Sequence, residues 1–167
     1  MDIQAKLTLE EAHQLFGRQA NGAVWQLLGQ AERTAEEGDR LLEAAWASLY
    51  HWRLAGTALH LQRGEWLLAH VYTELGEAAP AVRHAQRCLD LTAAHKDLMH
   101  DFDLAYGYEG LARALALAGR LEEAHKYLLL AQAAGETIAD PEDKQIFDGD
   151  FNRGEWYGIR SGQINIA

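Results

Sequence analysis

One cysteine, two prolines and two serines are all that this 167-residue chain holds of those types. A lone Cys88 excludes an internal disulfide and fits a reducing compartment. With only Pro80 and Pro141, long stretches are free to be helical. Ser48 and Ser161 stand outside any Gly-x-Ser-x-Gly turn, so nucleophilic serine chemistry is poorly supplied. Basic residues are also scarce, 15 Lys and Arg against 25 Asp and Glu, a formal charge of −10. That balance argues against sequence-independent nucleic-acid binding, which needs clustered cations to displace counterions, and against anionic membrane surfaces. No apolar run approaches the ~18 residues that a membrane helix needs. The opening MDIQAKLTLEEAHQLF lacks a basic segment followed by an apolar one, so no secretory signal is expected and a cytoplasmic location is.

What is present is a helical pattern. Hydrophobic residues make up 49% of the chain, enough for a real core in one domain spanning 1–167. They recur at three- and four-residue spacing almost throughout, without strand-like alternation. Thr8-Leu-Glu-Glu11 is a capping box opening a first helix, in which Gly17 and Gly22 invite a bend or a break. Thr34 or Gly38 starts a second, and Gly56-Thr57 separates it from a third over about 58–75. The fourth, about 78–94, carries Pro80 in its first turn, where a missing N–H costs nothing. The fifth and sixth span about 101–118 and 121–138, divided by Gly119. Asp140-Pro141-Glu142-Asp143 supplies an N-cap, a proline at the first helical position and early negative charge for a seventh. From Arg153 the chain is glycine-rich, as in an irregular or docked tail. The pattern predicts an all-α protein of six or seven helices.

Two segments resemble one another. "YEGLARALALAGRLEEAHKYLLLAQ" places Tyr108, Leu111, Ala112 and Leu115 before a turn at Gly119, with Ala124, Leu128 and Ala131 after it. "EWLLAHVYTELGEAAPAVRHAQRCLDL" has Leu68, Ala69 and Tyr72 before Gly76, then Ala81, Ala85 and Cys88. Small residues let paired helices approach, while large ones fill the space between pairs. These segments resemble tetratricopeptide repeats, clearest over about 60–95 and 102–138, with a weaker copy starting at Trp25. Their turn glycines lie 43 residues apart rather than 34, the surplus falling in "TAAHKDLMHDFD", and Ala85 is small where the family has a large residue. A closed helical bundle is the competing arrangement. The whole chain resembles small bacterial proteins of this repeat type, a likeness that carries no activity with it.

The resemblance implies stacked antiparallel hairpins, a capping helix and tail over about 141–167, and a concave groove lined by the first helix of each hairpin. By position, the groove presents Arg63, Trp66, His70 and Thr73, then Tyr106, Glu109 and Arg113. The expected function is a non-enzymatic interaction module that binds a protein or peptide segment, self-associates as a homodimer, or both. Two arginines among aromatics suit a partner of acidic or carboxylate character, although the lysines and asparagines of the family's carboxylate clamp are missing. The plain alternative pairs Arg113 with Glu109 along one helix. Self-association would bury Trp25, Trp46, Trp52 or Trp66.

The competing expectation is a small helical enzyme or ligand binder using His51, Arg63, Glu65, Asp101, Asp103 and Glu109. His84 and Cys88, at i and i+4, can chelate Zn²⁺ but more simply belong to the core. His95, His100, Asp101 and Asp103 are the remaining metal candidates. No HExxH, paired CxxC, EF-hand loop or phosphate-binding glycine loop supports a cofactor, and none is expected. "RGEW" occurs at both 63–66 and 153–156, by chance or because the second copy caps a groove-helix surface. In "HDFDLAYGYEG", residues 100–110, the expectation is a helix start capped by Asp101 or Asp103. Leu104, Tyr108 and Leu111 would then face the core, with Tyr106 and Glu109 facing the groove.

Overall fold

The computed structural model describes residues 6–159; the part of the expected tail beyond Ile159 lies outside them. Seven α-helices follow in order: α1 (Leu9–Leu28), α2 (Ala35–Ala55), α3 (Ala58–Glu74), α4 (Ala78–Ala94), α5 (Asp101–Leu117), α6 (Leu121–Glu136) and α7 (Pro141–Asn152). Among the described residues there is no strand, and no helix is long and apolar enough to cross a membrane.

Local chemistry sets the boundaries. At the starts of α1, α2, α3 and α5 the third helical residue reaches back to the backbone N–H of the cap. Glu11 does so to Thr8, Glu37 to Thr34, His60 to Thr57 and Asp103 to His100. Asp140 accepts from the N–H groups of Glu142 and Asp143 ahead of Pro141. The two hairpin turns are alike. Gly76 and Gly119 adopt φ of 76° and 73°, a left-handed conformation that glycine takes without a steric penalty. Each is closed by the same bond pair: Gly76 N–H to Thr73 with Glu77 N–H to Tyr72, and Gly119 N–H to Ala116 with Arg120 N–H to Leu115. These are Schellman closures, which satisfy carbonyls that a helix end otherwise leaves bare.

Short turns make α3/α4 and α5/α6 antiparallel hairpins, and α1/α2 forms a third. Each helix packs on its sequence neighbour, α3 also packs on α5, and α7 packs on α5 and α6. The result is a stack of hairpins whose core runs through Leu41, Leu49, Leu68, Val71, Leu111 and Leu115. The small residues of both resembling segments, Ala69, Ala81, Ala112 and Ala124, are fully buried. Cys88 and Ala131, equivalent across the 43-residue offset, are buried too. Glycines also matter where hairpins meet. A Cβ on Gly64 would stand 2.7 Å from Leu49 Cδ1, and one on Gly107 would stand 2.8 Å from Leu89 Cδ2. Both lie at the same distance ahead of their turn glycine, so each lets the first helix of a hairpin close on the second helix of the preceding one.

Three expectations require correction. The N-cap of α5 is His100, with Asp101 and Asp103 at the first and third helical positions. α1 runs unbroken through Gly17 and Gly22. Gly17 is held by tertiary contact, its carbonyl accepting from Ser48 Oγ at 3.0 Å while the Trp52 ring lies where a side chain would be. Leu104 is 37% exposed rather than in the core. The inward stripe of α5 instead runs through Ala105, Gly107, Leu111 and Ala112.

Candidate functional site

The side of the stack formed by α1, α3, α5 and α7 holds a groove of about 490 Å³. Helix α1 contributes Asn21 and Trp25, and α2 adds Ser48 and Trp52. His60, Gln62, Arg63 and Trp66 come from α3, Phe102, Asp103 and Tyr106 from α5, and Ile146 and Asp150 from α7. Every hairpin therefore builds it, and so does the capping helix.

Its walls are aromatic. Trp25 stacks on Trp66 at 6.1 Å, and Tyr106 meets Trp66 edge-on at 5.3 Å. Trp52 stacks on His60 at 4.2 Å. His60 Nδ1 accepts the Thr57 N–H, so the proton of the neutral ring sits on Nε2. Burial and the neighbouring Arg63 charge hold the His60 pKa below its ordinary value, which keeps that neutral form.

The charged groups are already coupled. Arg63 grips Asp103 with a two-bond fork, Nε to Oδ1 at 2.9 Å and Nη2 to Oδ2 at 3.1 Å, and its guanidinium lies 5.0 Å from the centre of the Phe102 ring. Asp103 is nearly buried while Arg63 is half-exposed. Tyr106 donates to Asp150 Oδ2 at 2.7 Å; burial and that bond raise the tyrosine pKa. Gln62, 1% exposed, donates through Nε2 to Cys88 Sγ, Thr92 Oγ1 and the Asp103 carbonyl. Its Oε1 is buried without a donor among the described residues.

The seven expected groove residues divide. Arg63, Trp66 and Tyr106 line the groove. Thr73 is buried and bonds back to the Ala69 carbonyl, and His70 packs parallel to Trp66 at 5.3 Å. Burial, opposed by Glu109, lowers the His70 pKa. Glu109 and Arg113 are buried as the intrahelical pair. The chain itself covers Arg113: Nη1 donates to the Glu155 carbonyl at 2.9 Å, and Nη2 to those of Asp150 and Arg153 at 3.1 and 2.8 Å. The Trp156 ring lies 4.0 Å from its guanidinium carbon. The second RGEW segment thus covers Arg113 on α5.

The polar set of the competing expectation disperses. His51 meets His13, Nδ1 to Nδ1 at 2.8 Å. Glu65 bonds Arg53 at 3.0 Å and His84 at 2.6 Å. Asp101 accepts from the Ala139 N–H at 2.7 Å. Only Arg63 and Asp103 meet. Among the described residues no group of three His, Cys, Asp or Glu side chains is placed to hold a metal ion. His95, His100, Asp101 and Asp103 do not converge as a ligand set, and Cys88 lies in the core, where burial raises its thiol pKa.

Sequence reasoning missed Asn21, His60, Gln62, Phe102, Ile146 and Asp150. A polar glutamine inside the apolar stripe of α3 was a usable sign for Gln62. Nothing local marked Asp150, which reaches the groove only through the docking of α7. No family model, curated protein or solved structure matches the chain.

Proposed function

We propose that the protein is a non-enzymatic interaction module of tetratricopeptide-like build that holds a segment of a partner protein in the groove across α1, α3, α5 and α7. The observation that carries this reading is the aromatic groove itself. It is of ligand-accommodating size, joins every hairpin, and keeps large side chains such as Trp25 (47% exposed) and Ile146 (53% exposed) at its rim. The dispersal of the histidines and carboxylates weighs against the enzyme alternative. The expected acidic partner loses its support, because Arg63 and Arg113 are each matched by a carboxylate.

The test is affinity capture from lysate of the source cell with wild type and a Trp25→Ala/Ile146→Ser double variant. Both positions are rim residues, so folding should survive. A partner retained by wild type and lost by the variant supports the groove; identical capture lists overturn it. Self-association is a second reading, favoured by Leu9, Phe16, Tyr50 and Leu54, all exposed on the α1/α2 hairpin. A monomer in light scattering at micromolar concentration would refute it.

A further inference from the structure

Resting on the groove reading, the geometry points to a cationic side chain, arginine or lysine, of the partner segment as the group that enters the groove between Gln62 and Asp150. Counting the charged groups of the lining gives one cation, Arg63, against two carboxylates, Asp103 and Asp150. The Arg63 fork is closed on a buried Asp103, so that pair adds no net charge to the lining, the half-exposed member being the arginine. Asp150 is different. Tyr106 donates to its Oδ2, while its Oδ1 has Arg153 at 3.8 Å, a loose pair with the arginine 79% exposed. Such a pair is weak in water, and an incoming cation can replace it.

Two further features favour the same chemistry. Among the described residues Gln62 Oε1 is a buried acceptor with no donor and Trp66 Nε1 a buried donor with no acceptor, and unmet buried polar groups are costly. A cation carries the N–H groups that the glutamine oxygen needs, and the backbone carbonyls of the segment bearing it can take the indole N–H, whereas a carboxylate offers only acceptors. The aromatic walls complement the alkyl stem and the positive head together. At long range, a formal charge of −10 attracts basic segments and repels acidic ones.

The test uses the full chain with ¹⁵N-labelled tryptophan side chains. The probes are acetyl-Gly₃-Arg-Gly₃-amide, its lysine and glutamate counterparts, and acetyl-arginine-amide. The arginine or lysine heptapeptide should shift the Trp25 and Trp52 indole signals saturably, and the glutamate peptide should not. Asp150→Asn, which keeps an acceptor for Tyr106, should weaken binding roughly tenfold through loss of the charge, and Asp150→Glu should restore most of it. Tighter binding of the heptapeptide than of acetyl-arginine-amide marks a protein segment as the occupant. Equal binding marks a free organic cation and overturns the assignment to a partner side chain. Binding of the glutamate peptide overturns the cation while leaving the groove reading intact. No shift with any basic probe, or unchanged affinity in Asp150→Asn, also overturns it, and the capture experiment above then decides the groove reading separately.

Discussion

Replacing Arg113 with methionine tests how the C-terminal segment is held. The guanidinium side chain is 8% exposed, pairs with an equally buried Glu109, and donates to three backbone carbonyls beneath the Trp156 ring. Methionine fills most of the volume but leaves Glu109 buried and unpaired, a loss of about 3–5 kcal/mol when one partner of a buried pair is removed. One Glu109 oxygen already lacks a donor among the described residues, so little is available to compensate. Each carbonyl left bare adds about 1 kcal/mol where water cannot reach it. Urea unfolding of Arg113→Met should therefore show a loss of at least ~4 kcal/mol. Cleavage by trypsin at Arg153 should quicken as the segment lifts. The double variant Arg113→Met/Glu109→Gln removes the stranded charge and should recover a substantial part of the loss, which a double-mutant cycle reads directly. A single variant within 1 kcal/mol of wild type, or a double variant no better than the single, would refute the view that this pair is a dehydrated anchor.

Four other outcomes are expected. Gly135→Ala should lower the thermal midpoint by an amount matching ~1–3 kcal/mol, because the new methyl would stand 2.3 Å from Phe147 Cε1. Gly22→Ala, in open space on α1, should instead add ~0.5–1 kcal/mol by the same calorimetric comparison. Stability should fall on acidification. His70 is held below its ordinary value of 6.5, so its contribution is complete above that pH and is lost as pH drops toward the folded value. His70→Gln should flatten the limb that falls away below the ordinary value of 6.5 in denaturant titrations, and an unchanged slope would count against it. Glu65 acts lower on the scale: burial raises its pKa, but the bonds and charges of His84 and Arg53 outweigh this and depress it. Its contribution is therefore present above 4.5 and lost below. Finally, Cys88 should ignore a thiol reagent in the native protein and react fully in denaturant.

By itself the sequence determined the helices and turns, because their causes are local. Thr8 with Glu11, Asp140 before Pro141, and glycines 76 and 119 act within a few residues of chain. The pairing of Arg113 with Glu109 was equally legible, being an i,i+4 relation on one helix. Only the tertiary structure decided which polar residues meet. Asp103 reads as a helix cap, but His100 takes that place and Asp103 serves it from the third helical position, its carboxylate also closed by Arg63, 40 residues earlier. Arg113 reads as a groove cation and is covered instead by the docking of residues 150–156, a contact spanning about 40 positions. Gln62, Asn21 and Asp150 share one groove because α1, α3 and α7 are brought to one side of the stack. Periodicity reports which face of a helix is apolar, whereas the neighbour presented to that face depends on how hairpins stack. That stacking is set by close approaches such as Gly64 on Leu49 and Gly107 on Leu89, which no single helix encodes.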